Sequence, residues 1–162
     1  MSAANSESMT LLKFTSSHCQ FYICDKGSPK ATDSNDFWTG EAHASRLAVE
    51  DGIVGVGTES YAYIKAEINI LVQRPTSIDL EKYDHIVEAS LRIPSGIIQV
   101  LNCPDSNLEF EKQVVPGDYR VQVRSLGLET VQDEFEEADD KYLILIWPKT
   151  YSSRKVVKQY AF

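Results

Sequence analysis

A strict two-residue alternation of apolar and polar side chains limits what this chain can become. From Tyr61 to Gln73, Ala62, Ile64, Ala66, Ile68, Ile70 and Val72 alternate with Tyr63, Lys65, Glu67, Asn69, Leu71 and Gln73. Successive side chains of an extended chain point to opposite faces, so this run reads as a strand with one face in a core. The pattern returns at 84–93, where His85, Val87, Ala89, Leu91 and Ile93 oppose Ile86, Glu88, Ser90 and Arg92. Two short β-prone runs fill 10–25, and others occupy 97–102, 108–115, 119–123 and 142–147, the last closed by Pro148. Pro116-Gly117-Asp118 forms a turn ahead of Tyr119, Val121 and Val123, because Pro presets φ and Gly tolerates positive φ. About seven short strands at this spacing predict a mainly β fold, an antiparallel β-sandwich or open barrel with one short α-helix.

That helix is expected within Trp38–Asp51 (WTGEAHASRLAVED), with Thr39 as N-cap, Glu41 in the first turn and Gly52 as the left-handed stop. Around the strands, residues 1–9 read as a flexible start, 10–148 as one domain and 149–162 as a basic tail holding Lys149, Arg154, Lys155 and Lys158. Neither a secretory leader nor a run of about 20 apolar residues is found, which predicts a cytoplasmic protein. Cys19, Cys24 and Cys103 are an odd number without a CxxC motif or clustered histidines, so they read as reduced, buried thiols with no zinc site.

Charge excludes one class of function and suggests another. The net charge is −8, and because the tail is basic, the first 148 residues carry 24 acids against 12 bases. Nucleic-acid binders neutralise phosphates with Lys and Arg, so this balance points to a basic protein partner instead. The densest acidic stretch is Glu129–Asp140, seven acids in twelve residues. Val131, Phe135 and Ala138 within it have the spacing of one helical stripe. Asp133, Glu134, Glu136, Glu137, Asp139 and Asp140 are therefore candidate partner-binding residues, or else a solubilising loop. Trp38 is either a core residue or an interface anchor.

A search for catalytic sets finds none. Gly55 and Gly57 lack the third glycine and the lysine of a phosphate loop and read as a bulge or close strand approach. His18 follows Ser16 and Ser17, but no GxSxG elbow accompanies them. His85 reads as a core or rim histidine and His43 as a solvated one, while Asp51 invites a turn hydrogen bond. No cofactor is expected.

The segment FWTGEAHASRLAVEDGIVGVGTESYAYIKAEI, with the later VPGDYRVQV, resembles the competence protein J family, inhibitors of the nucleases of bacterial DNA uptake. Trp38, Ala48, Asp51, Gly52, Gly117, Asp118 and Tyr119 carry the likeness, which spans about residues 18–147. The acidic insertion and the basic tail depart from the family pattern. The resemblance implies a non-enzymatic protein that binds and blocks a nuclease, whose basic cleft an acidic surface could occupy. An immunity or regulatory protein for another basic partner and a small-ligand-binding sandwich remain as rivals.

Overall fold

The computed structural model describes residues 8–30, 32, 36–133 and 135–161, so Glu134 and most of the expected flexible start lie outside the described residues. Among the described residues, eleven strands and one short α-helix follow in the order β1 (Ser8–Thr15), β2 (Gln20–Asp25), α1 (Gly40–Ser45), β3 (Leu47–Glu50), β4 (Ile53–Gly57), β5 (Tyr63–Ile70), β6 (His85–Ile93), β7 (Ile97–Leu101), β8 (Leu108–Gln113), β9 (Gly117–Leu126), β10 (Lys141–Pro148) and β11 (Lys155–Lys158). They form a six-stranded sheet, β1-β5-β10-β9-β6-β11, and a five-stranded sheet, β3-β4-β2-β7-β8. The fold is thus mainly β in two sheets, as the alternation predicts. One pair departs from the antiparallel rule: β5 and β10 run parallel, Tyr142 opposite Ala66 and Ile146 opposite Ile70. Among the described residues no helix is long and apolar enough to cross a membrane.

The alternating residues meet between the sheets. Ile64, Ala66 and Ile68 from β5, Val87, Ala89, Leu91 and Ile93 from β6, Val121 and Val123 from β9 and Ile144 and Ile146 from β10 pack against Phe21, Ile23, Val54, Val56, Ile98 and Val100 of the other sheet. A second apolar cluster lies behind the five-stranded sheet, where Tyr22, Cys24, Ala48 and Ile53 are covered by Phe37 and Ala42, with Trp38 at its edge. Both faces of β2 are therefore buried. Cys24 and Cys103 are buried and Cys19 is partly so, and all three thiols are free. Burial pushes the Cys24 thiol up to about 11, which keeps it protonated and unreactive at neutral pH.

The structure corrects three expectations. The helix predicted to Asp51 ends at Ser45. Thr39 caps its start, Oγ1 accepting from Ala42 N at 3.1 Å, but the left-handed stop is Arg46 (φ 62°) rather than Gly52. Leu47–Glu50 then turns at Asp51-Gly52 and pairs with β4, because the ladder and the burial of Leu47 and Ala48 outweigh helix propensity. The segment read as a basic tail is also, over its described residues 149–161, tied into the fold. β11 pairs with β6, and Arg120 Nη1 and Nη2 donate to the Ser152 and Ser153 carbonyls at 2.9 Å each. Among its described residues the acidic stretch, finally, forms no α-helix: after a 3-10 turn at Leu128–Thr130 these are loop, and Phe135 is 60% exposed instead of anchoring a stripe.

Candidate functional site

The acidic loop between β9 and β10 is closed at its base by Thr130, whose Oγ1 donates to Gly127 O at 2.6 Å and accepts from Asp139 N at 3.0 Å. Gly127, at φ 70°, faces the Asp139 carbonyl so closely that a Cβ would stand 2.5 Å from it. Glycine is the residue this closure permits. The loop lies along β1 and β5: Glu137 pairs with Lys13 at 3.1 Å and with Lys65 at 3.6 Å, and Lys65 Nζ also donates to Ala138 O. The hydrogen bond and charge of Lys13, with the charge of Lys65, hold the Glu137 carboxyl below the usual range. Asp133, Glu136 and Asp139 are exposed and form no ion pair among the described residues.

Asp140 does not belong to that surface. It is 1% exposed, and its carboxylate accepts from Ser60 Oγ at 2.5 Å, Ser60 N at 3.2 Å and Tyr142 Oη at 2.6 Å. A carboxylate so enclosed survives burial because each oxygen has donors. Burial first, then the neighbouring Asp140 charge, raises the Tyr142 phenol well above its ordinary range. Tyr142 Oη in turn accepts from Glu59 N at 2.7 Å, and Glu59 Oε1 accepts from Arg46 Nη2 at the same distance. Asp140 thus positions the 58–60 loop from within.

Arg46 lines a cavity of about 420 Å³, together with His18, Cys19, Gln20, Trp38, His43, Gly57 and Thr58. Elements on both sides of the five-stranded sheet's end build it. Trp38 stands edge-on to Phe37 at 5.8 Å and carries the His43 ring at 5.2 Å. A Cβ on Gly55 would stand 2.9 Å from both Phe37 and Trp38 rings, so this glycine makes room for two side chains rather than for the bulge or close strand expected of it. His18 (φ 62°), Cys19 (φ 55°) and Arg46 (φ 62°) are three of the five non-glycine residues described with positive φ, and all three line this one cavity. Such backbone is costly without glycine, by roughly 1 kcal/mol or more per residue, and it gathers where geometry serves a purpose.

A row of rings joins the cavity to the acidic loop. His18 meets Tyr61 at 5.8 Å, and Tyr61 meets Phe135 at 4.8 Å. The sequence singled out Trp38 and the acidic segment separately, and nothing in it links Tyr61 to either. The remaining catalytic suspects have other duties. Ser16 is buried, its Oγ donating to Gln20 O at 2.5 Å and accepting from Cys103 N at 2.8 Å. His85 is buried between Ser45 O, 2.7 Å from Nε2, and Tyr160 N, 3.0 Å from Nδ1, as the core histidine expected. The Asp51 side chain is exposed and makes no hydrogen bond among the described residues. Asp51 and Gly52 instead share a second groove of about 350 Å³ with Arg92, Gly117 and Asp118, so the two segments that carry the family likeness meet in space. Among the described residues, no group of three or more His, Cys, Asp or Glu is placed to hold a metal ion.

A two-sheet sandwich of this connectivity, with one short helix on its outer face, defines a structural class shared with known proteins. The crystal structure of ComJ from Bacillus subtilis, an inhibitor of the DNA-degrading activity of NucA, matches over 88% of this chain and 98% of that one with a TM-score of 0.67 at 17% identity. The product of crocagin biosynthetic gene J matches over the same shares with a TM-score of 0.55 at 18% identity. The likeness to ComJ expected from the sequence therefore holds at the level of the fold. No protein-family model matches the sequence, and a search of curated proteins with it finds no match.

Proposed function

We propose that this protein, which shares the fold of the NucA inhibitor ComJ, is a cytoplasmic, non-enzymatic inhibitor of a basic nuclease that acts by occupying the nuclease rather than by chemistry. The match to ComJ over 88% of the chain carries the reading. Charge supports it: a nuclease cleft is built to hold phosphates, and exposed carboxylates such as Asp133, Glu136 and Asp139 are steered to the same field. Competence, the setting in which the resembled family works, is part of the same reading. The test is a DNA-degradation assay in which the purified protein is titrated into NucA and into the DNA-degrading enzyme encoded nearest its own gene. Stoichiometric loss of degradation by at least one of them is expected. Undiminished degradation by both, with the protein folded and in excess, would remove nuclease inhibition from consideration.

A further inference from the structure

We infer that the acidic loop and the Trp38 cavity are the two ends of one docking face, and that its occupant is a basic loop of the partner protein with a lysine or arginine side chain entering the cavity mouth. The inference rests on the inhibitor reading only for the partner's identity. Three independent observations converge on this face. The first is the row of rings Phe135–Tyr61–His18, which links loop to cavity with contacts of 4.8 and 5.8 Å. Phe135 stays 60% exposed within the most acidic stretch of the chain. A large exposed ring there contributes little to the core and is the kind of contact that interfaces bury.

The second is charge. Lys13 and Lys65 already balance Glu137, whereas Asp133, Glu136 and Asp139 carry no ion pair among the described residues. The loop therefore presents net negative charge beside the rings, and a cation is its complement. The cavity floor does not oppose a cation, because the Arg46 guanidinium is matched by Glu59 at 2.7 Å. Trp38 in its wall is the ring type that attracts cations best, and cation–π attraction grows as the site is desolvated. At about 420 Å³ the cavity is near the small end of ligand pockets and suits one long side chain better than a whole helix. The third is the backbone, since His18, Cys19 and Arg46 hold their left-handed conformations around this cavity.

The surface can be tested without the nuclease. The chain has two tryptophans, so its 1H–15N spectrum has two indole signals, which Trp38→Phe assigns. Titration with a hexa-arginine peptide should shift the Trp38 indole and the amides of His18, Tyr61 and Phe135 saturably, while the Trp147 indole stays fixed. Shifts confined to the other groove around Asp51 and Asp118, or no saturable shift, would overturn the docking face. A nuclease that the protein does inhibit supplies the second arm. Phe135→Ala, which alters only an exposed side chain, should raise its dissociation rate on the order of tenfold, and Trp38→Phe should leave that rate far less changed because the ring remains. Unchanged dissociation of Phe135→Ala would refute the face while leaving inhibition standing. A confirmed peptide map with no nuclease bound would do the reverse, retaining the face and removing the nuclease.

Discussion

Two buried residues set the terms on which the candidate face exists. Asp140 receives three hydrogen bonds, from Ser60 Oγ, Ser60 N and Tyr142 Oη. Asp140→Ala strands those donors in a dry site, and we expect a loss of about 2–4 kcal/mol in chemical denaturation, since unsatisfied buried groups beside a lost charge cost that much. Asp133→Ala, at an exposed position, should cost within about 0.5 kcal/mol. His85 gives the protein a pH response. Its neutral form donates from Nε2 to Ser45 O and accepts at Nδ1 from Tyr160 N. Burial lowers its pKa from 6.5, and the Arg46 charge adds to this against the pull of the Ser45 carbonyl. The unfolded chain then binds a proton that the folded chain refuses, so stability is full above about pH 6.5 and falls as pH drops below it. Denaturant midpoints measured from pH 8 to pH 5 should decline in the wild type, and the decline should flatten in His85→Gln. Equal slopes would remove His85 as the cause.

At the scale of elements, the C-terminal segment is the part whose role changed most between sequence and structure. It covers the outer face of β6 and β9, where Glu88 sits 2.7 Å from Arg120 and accepts from Arg74 and Gln122 as well. Burial alone would raise the Glu88 carboxyl, but these hydrogen bonds outweigh it and hold it low. Arg154 reaches back to Leu47 O at 2.9 Å and Gln159 Nε2 to Ala44 O at 3.0 Å, tying β11 to the helix region. Truncation after Pro148 therefore exposes a charged cluster, takes away the Tyr160 N–H that His85 Nδ1 accepts and leaves β6 as a sheet edge. We expect a severely destabilised or aggregating protein, from the lost covering of the buried pair and the open edge. Unfolding curves for a 1–148 chain that matched the full chain would show the segment to be dispensable for folding.

For the molecule as a whole, the charge distribution leads to a kinetic prediction. Neutralising Asp133, Glu136 and Asp139 to Asn or Gln should slow association with a basic nuclease on the order of tenfold at low salt, with dissociation changed far less. Glu137→Gln alone leaves Lys13 and Lys65 unmatched and removes one charge from the same field, so it should slow association too, by less than the triple variant does. High salt should bring the association rates of wild type and triple variant together. If the two share one association rate at every salt concentration, the acidic loop only confers solubility.

The turn expected at Pro116-Gly117-Asp118 falls before Gly117, since Gly117 and Asp118 already pair with β6. The sequence by itself determined the main alternating strands, the N-cap at Thr39 and the acidic balance. Each depends on a residue and its near neighbours, through side-chain alternation, backbone preference or simple counting of charge. Tertiary structure alone decided that Leu47–Glu50 is a strand, since only the presence of β4 makes a ladder worth more than a longer helix. It alone decided that Asp140 is an internal support, because its donors lie 80 residues away at Ser60 as well as nearby at Tyr142. The candidate face was beyond the reach of local pattern for the same reason. Phe135, Tyr61, His18 and Trp38 are far apart along the chain, and only strand pairing across the sheets brings their rings to one end of the sandwich.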